Sequence, residues 1–370
     1  MENYTRRRYN AWSYERSRSR QDEESIHQHK EARILCGTWN VQAKKAEIEG
    51  LQLSLDHWLG HGAMQCDIVA VGLQEMVDLS AVNVASDHNS SMTSQHWIDK
   101  ILGTLGVDFM MVAENHLVGM LVCVFVKHVH IQRVKYVEVD SVSAGVMGVA
   151  GNKGSVSVRL QFYDSTICII CSHFAAHREN ILRRNANYTY IVSKTRFNIG
   201  VEAVQELIWS SGTLPYQWEK GTSSVGILDH DHVFWMGDLN YRIDESIPVE
   251  VCFCKAIKGD LQPLIAMDQL NIERAWGRVF QGFEEGLITF KPTYKYRPYT
   301  DDYETRPGKN LRAPAWCDRI LWCSKNSNHI EQLDYSCCSS LKISDHRPVM
   351  STFVAMIKDT VREKSDREII

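Results

Sequence analysis

Two runs of this chain, Asp67–Leu73 and Ser165–Cys171, are apolar along almost their whole length, and each stops at residues able to hold a metal or move a proton. A strand with one wet face alternates apolar and polar residues; a strand apolar throughout suits a sheet covered on both faces. Layered α/β folds meet that need. Further β-branched and apolar stretches predict strands at Arg33–Trp39, Met120–Val126, Val129–Val139, Lys153–Phe162, His232–Met236, Arg319–Cys323 and Pro348–Val354. Helices are predicted over Leu51–Leu59, His96–Leu105, Glu179–Thr195 and Pro248–Ile257. No Gly/Ser-rich or Pro-rich linker divides the body, and no repeat of solenoid period is present. One continuous α/β domain is expected.

Composition narrows the function. With 41 Lys+Arg against 45 Asp+Glu the net charge is −4, which argues against a basic coat for nucleic acid but leaves room for a local basic pocket. The apolar runs Met120–Val126 and Ile167–Cys171 fall far short of the ~20 residues that span a bilayer. The 11 cysteines are odd in number, scattered and without zinc-site spacing, as expected of reduced thiols in a cytoplasmic protein. The ends differ from the body. Residues 1–30 alternate blocks of Arg and acid, with Tyr9, Trp12 and Tyr14 between the arginines, and are expected to be a disordered segment able to approach an anionic membrane. Residues 359–370 form a charged tail without a prenylation box.

Polar residues cluster at strand ends, where α/β folds place their chemistry. The first strand ends in Thr38-Trp39-Asn40, the second in Gln74-Glu75, the Ser165–Cys171 run in Ser172-His173 through His177, and the His232–Met236 run in Gly237-Asp238-Leu239-Asn240-Tyr241-Arg242. Cys317-Asp318-Arg319 and Ser344-Asp345-His346-Arg347 follow late in the chain. Each has a bland explanation as a cap, turn or satisfied core residue. Together they are the parts of a metal-assisted hydrolytic site: hard oxygens for Mg²⁺, a carboxylate to deprotonate water, an Asp–His pair for developing charge. No cysteine nucleophile followed by a phosphate-cradling loop is present, so a phosphocysteine mechanism is not expected.

These segments, with Gly151-Asn152-Lys153-Gly154, Lys291-Pro292-Thr293-Tyr294-Lys295-Tyr296 and Pro314–Leu321, resemble the inositol polyphosphate 5-phosphatases, within the superfamily of metal-dependent endonucleases, exonucleases and phosphatases. The resemblance runs from about Arg33 to Met356 and is most specific in Phe234–Arg242 and Pro314–Leu321. It implies a DNase I-like four-layer α/β sandwich, two packed and mainly antiparallel sheets flanked by helices, with residues 31–358 as the catalytic domain. By the same resemblance Glu75, with Asn40 beside it, holds Mg²⁺. Asp238 activates the attacking water, Asn240 holds the water or a phosphoryl oxygen, and His173 binds the transferring phosphate. His346, polarised by Asp318, contacts the scissile phosphate, and Asp345 lies next to the metal and the nucleophile. Lys153, His177 and Arg242 are assigned to the substrate, and Tyr294, Lys295 and Arg312 to a 4-phosphate. The family often has Lys at the position of Asn310; here Lys309 stands one step earlier and is the substitute candidate. Val149 also stands where the family frequently has Lys, so the apolar loop Gly145–Gly151 is expected either to enter lipid or to pack on the sheet.

The implied reaction is removal of the 5-phosphate from phosphatidylinositol 4,5-bisphosphate, from the 3,4,5-trisphosphate or from soluble inositol polyphosphates. The implied partner is a phosphoinositide head group at the cytosolic face of a membrane, with the protein attached peripherally and no nucleic acid bound. The alternatives are a nuclease sharing the metal site and a catalytically weak phosphoinositide-binding scaffold.

Overall fold

Strand pairing decides which of these runs meet. In the computed structural model, which describes residues 27–45, 53–77, 87–145, 153–200, 224–309 and 311–360, the chain opens a first sheet with β1 (His27–Asn40), β2 (Ile68–Gln74), β3 (Phe109–Leu117) and β4 (Met120–Lys127). It crosses to a second with β5 (Val134–Ser143), β6 (Gly154–Phe162) and β7 (Ser165–His173), and then forms a small ribbon of β8 (Phe197–Asn198) and β9 (Ser224–Val225). The second sheet is completed by β10 (His232–Asp238) and β11 (Asp318–Ser324), the first by β12 (Ile330–Cys337) and β13 (Val349–Thr360). The orders are β12-β13-β1-β2-β4-β3 and β11-β10-β7-β6-β5. All ladders in the two sheets are antiparallel except β1–β2 and β7–β10, one parallel pair inside each sheet. Parallel strands bring their carboxyl ends side by side. Asn40 therefore lies opposite Gln74, and Asp238 opposite His173.

The period-two alternation of each strand separates the layers. On β1, Ile34 and Cys36 face the other sheet, while Leu35 and Trp39 face outward. There Trp39 meets Trp58 and Trp97, each ring 5.8 Å away, the latter on α1 (Asp87–Leu105). On β10, Phe234 and Met236 point between the sheets, and Val233 and Trp235 pack outward with Ile191 of α2 (Ile181–Lys194) and Leu270. Helix α3 (Val249–Lys258) adds Cys252, Phe253 and Ala256 to the central cluster, and Leu270 belongs to α4 (Gln269–Ala275). The result is helix, sheet, sheet, helix. Each buried aliphatic side chain stabilises by ~1.5–3 kcal/mol, and a one-residue slip would exchange the two faces of a strand. The core thus pins the register on which the polar strand ends depend.

Several expectations are corrected. Val129–Arg133 is not strand: His128–Arg133 is a 3₁₀ turn, and β5 begins at Val134. Of the predicted helix Leu51–Leu59, the described part turns helical only at Asp56 and continues to Ala63. The charged end segments are shorter than expected, because His27–Lys30 pair with Ile357–Thr360 and extend β1 and β13. A partner strand supplies the hydrogen bonds that charge patterning does not reveal. Residues 1–26 and 361–370, and with them the expected disorder and membrane approach, lie outside the described residues. All eleven cysteines are free thiols.

Candidate active site

The two parallel pairs deliver their carboxyl ends to one place. Gly237 lets β10 approach β7 closely: at φ +140° a Cβ there would sit 2.1 Å from Ser172 O. The next residue, Asp238, is 1% exposed and meets both sheets. Its Oδ2 accepts a hydrogen bond from Asn40 Nδ2 at 3.0 Å and lies 3.3 Å from His173 Nε2. Its Oδ1 accepts from the Asn240 N–H at 3.1 Å. Burial alone would raise this carboxyl, but the His173 hydrogen bond and the charges of His173, His346 and Lys153 outweigh burial and hold it below the usual carboxylate range. A buried carboxylate kept ionised this way can accept a hydrogen bond from water and orient it.

A second unit faces it. His346 Nδ1 and Asp318 Oδ2 are 2.9 Å apart, and Thr293 Oγ1 donates to the same oxygen at 2.6 Å. Burial disfavours the imidazolium, but Asp318, Asp238 and Asp345 lift His346 to about 9. Burial pushes Asp318 above its ordinary value, against the pull of His346. His346 Nε2 stands 4.0 Å from both Asp238 Oδ2 and Asp345 Oδ1. Ligand atoms of Asp238, Asp318 and His346 fall within 4.8 Å of one another. Within this trio His346 Nδ1 is engaged by Asp318, which leaves Nε2 facing Asp238.

Hard oxygens gather on the other side. Glu75 follows β2 in the left-handed region (φ +52°), which turns its carboxylate toward His173 Nε2 at 3.6 Å. Among the described residues Asn40 Oδ1 accepts only from the Gln42 N–H, at 3.1 Å, while its amide nitrogen donates to Asp238. Carboxylate and amide oxygens beside a half-exposed Glu75, where waters can stay, match the preference of Mg²⁺. This donor set fits the ion.

The rim holds the cations. Lys153 Nζ lies against His173 Nε2, and the neighbouring Gly154, at φ +145°, has no room for a Cβ beside Val142 O. Arg242 is buried, donates to Asn240 Oδ1 at 2.5 Å and lies over the Tyr294 ring at 4.4 Å. Tyr294 in turn packs on His346, with ring centroids 4.6 Å apart. Lys295 Nζ is 3.7 Å from Asp345 Oδ2, and Arg312 Nη1 is 2.8 Å from Nδ1 of the exposed His177. Other basic residues of this stretch are spent elsewhere: Arg297 on Asp302, Arg306 on Glu304, and Lys291 on Ile257 O. Lys309 sits in an exposed turn, and among the described residues no contact draws its side chain to the others. The loop expected either to enter lipid or to pack on the sheet falls outside the description from residue 146 to 152, as does Asn310.

Three supporting residues escaped the sequence reading: Thr293, which orients Asp318; Ser344, whose Oγ donates to Asn40 O at 2.6 Å; and Trp39, whose Nε1 donates to His346 O at 3.1 Å. All three lie inside or beside the quoted motifs, which was the signal available.

With this geometry in place, comparison with known proteins defines the class. Residues 37–352 match the model of endonuclease/exonuclease/phosphatase family 2. Mouse type II inositol 1,4,5-trisphosphate 5-phosphatase is 36% identical over 362 residues, 96% of this chain and 33% of that protein. Type IV inositol polyphosphate 5-phosphatase 9 of Arabidopsis thaliana is 34% identical over 90% of this chain and 80% of its own length. The inositol polyphosphate 5-phosphatase domain of a synaptojanin, solved with inositol (1,4)-bisphosphate and calcium, superposes with TM-score 0.75 and 30% identity over 94% of this chain and 91% of that one. The chain belongs to the inositol polyphosphate 5-phosphatase family and has its DNase I-like fold. It spans about a third of the mouse relative's length.

Proposed function

We propose that this chain is a Mg²⁺-dependent phosphatase that removes the 5-phosphate from phosphoinositides, phosphatidylinositol 4,5-bisphosphate first among them, and from the 3,4,5-trisphosphate and soluble inositol polyphosphates. The observation that carries the reading is the meeting of both parallel strand pairs at Asp238, with Asn40 at 3.0 Å and His173 at 3.3 Å. Glu75 and Asn40 would hold Mg²⁺, which when bound supplies positive charge to a transferring phosphoryl group.

The protein's own groups then divide the work. Asp238 orients the attacking water and takes its proton. Asn240 holds that water or a phosphoryl oxygen through its amide. His346, kept protonated against Asp318, donates to the scissile phosphate, and His173 with Lys153 binds the same group. Asp345 lies next to the metal and the nucleophile. Arg242 and His177 bind substrate oxygens, while Tyr294, Lys295 and Arg312 read the 4-phosphate. Lys309 would contribute only on substrate arrival. Each preorganised donor of this kind is typically worth ~3–4 kcal/mol. On this reading the enzyme works at the cytosolic face of membranes by peripheral contact; no described helix is long and apolar enough to cross one.

The test is phosphate release, with Mg²⁺ or with EDTA, from short-chain lipids carrying 4,5-bisphosphate, 5-phosphate alone or 4-phosphate alone. Mg²⁺-dependent release from the bisphosphate that leaves the 4-phosphate lipid is expected. Silence on all three, together with cleavage of an abasic DNA duplex, would overturn the proposal in favour of a nuclease.

A further inference from the structure

Behind the floor, two buried side chains from separate helices join the segments that follow β7 and β10. Arg184 of α2 is fully buried and, among the described residues, forms no ion pair. Its guanidinium donates instead to Ala175 O at 3.1 Å, His177 O at 2.5 Å, Arg178 O at 3.2 Å and Gln269 Oε1 at 2.6 Å. A buried cation on neutral acceptors is costly to keep. Here it spans the backbone of the segment that carries His177.

Gln269, the first residue of α4, is 1% exposed and grips Arg242 twice: its backbone N–H donates to Arg242 O at 2.8 Å, and its Oε1 accepts from the Arg242 N–H at 2.9 Å. Its Nε2 donates to Arg178 O at 3.0 Å. Only a neutral amide meets both demands, accepting from two N–H groups and donating to a carbonyl. The Arg242 side chain passes the constraint on, because its Nε and Nη2 hold Asn240 O and Oδ1. Asn240 itself stands in the left-handed region, at φ +57°.

We propose that Gln269 and Arg184 are positioning residues, a buried clasp that ties the segment after β10 to the segment after β7. The clasp sets where Asn240, Arg242 and His177 stand relative to Asp238 and His173. The inference rests on the phosphatase reading for its kinetic consequence. Neither side chain touches substrate; both act through the backbone they hold.

The test is Gln269→Met, compared with Gln269→Glu and with wild type in the Mg²⁺-dependent assay on short-chain 4,5-bisphosphate lipid. Displacements near 1 Å cost on the order of 10²-fold in rate. Gln269→Met is therefore expected to lower kcat by ~10–100-fold and to raise KM, with folded content checked by thermal unfolding. Gln269→Glu keeps the acceptor for Arg184 and the Arg242 N–H but cannot donate to Arg178 O, and its rate should fall between those of wild type and Gln269→Met. Hydrogen exchange at amides 175–178 and 240–243 should quicken together in Gln269→Met. If that variant does not fold, Gln269→Asn, too short to reach either segment, replaces it in every arm.

A folded Gln269→Met with wild-type kcat and KM, or faster exchange in one segment alone, would overturn the clasp. A silent wild type would instead overturn the phosphatase reading, and the exchange arm would still decide the clasp.

Discussion

His230 and His346 are both buried imidazoles, 2% and 4% exposed, at opposite ends of the same sandwich, yet they hold opposite charge states. Burial disfavours the imidazolium of each. At the carboxyl ends of the parallel strands, His346 faces Asp318, Asp238 and Asp345 and is lifted to about 9. Two residues before β10, His230 places Nδ1 on Ile227 O at 3.0 Å and Nε2 on Arg159 Nε at 3.3 Å; burial, and then the Arg159 charge, take it down to about 3. His232 follows it down to about 4, burial again leading. The partners decide. The fold surrounds the histidine where the strand ends converge with carboxylates and keeps the histidines at the other end neutral, beside the buried Arg159 guanidinium.

Removing Asp238 strikes the charged end at its centre and should have the largest effect. Asp238→Ala is expected to lower kcat by ~10³–10⁴-fold while circular dichroism and thermal unfolding report a folded chain. A rate within tenfold of wild type would take the water-activating role from this residue. Asp318→Asn should come next, at ~10²–10³-fold. The carboxylate that chiefly opposes burial at His346 would be gone, so His346 would lose its proton at lower pH than in the wild type. The alkaline limb of kcat/KM should move down accordingly. An unmoved limb would show that His346 keeps its charge without Asp318.

The neutral end makes a prediction of the opposite sign. His230 and His232 have folded values of about 3 and about 4, below the ~6.5 of an unfolded chain. Between those limits the unfolded state binds more protons, so stability rises with pH. It is complete above about pH 6.5 and is lost as pH falls through the folded values, at up to ~1.4 kcal/mol per pH unit for each histidine. Urea unfolding from pH 7 to pH 4.5 should show that acid limb, and His230→Gln should flatten it. An equally steep limb in His230→Gln would place the acid sensitivity elsewhere.

Part of the charged end was legible in the sequence because some of its residues terminate an apolar run, whereas Asp318 opens β11 and Asp345-His346 precede β13, and their roles were implied by the resemblance. Asn40, Glu75, His173 and Asp238 were found that way, and the α/β layering followed from the runs themselves. Less visible were β3 and β12, edge strands whose half-wet faces carry no clean alternation. Val129–Val139 read as one strand because β-branched residues suit a 3₁₀ turn as readily when nothing marks the bend. Gln269 and Arg184 stand 85 positions apart, and no local pattern announces a hydrogen bond between two helices. The buried neutral histidines were unreadable for a similar reason: the Arg159 guanidinium beside His230 and the Met356 carbonyl beside His232 come from other strands.

Lys295 tests the comparison where burial gives out. Its side chain keeps 31% of its exposure, and Asp345 at 3.7 Å is a loose partner, so water already supports its charge. Losing it leaves no orphaned buried ion, unlike the loss of Asp318, and the cost should fall on binding rather than on the chemical step. Lys295→Ala is expected to raise KM for the 4,5-bisphosphate lipid by about tenfold, as for one charged hydrogen bond, with kcat within about threefold. The same variant should leave KM for the lipid carrying only a 5-phosphate nearly unchanged, because the group Lys295 reads is then missing. Equal KM increases on both lipids would move Lys295 from the 4-phosphate to the shared part of the substrate. A fall in kcat would bring it into the charged end, where Asp345 connects it to His346.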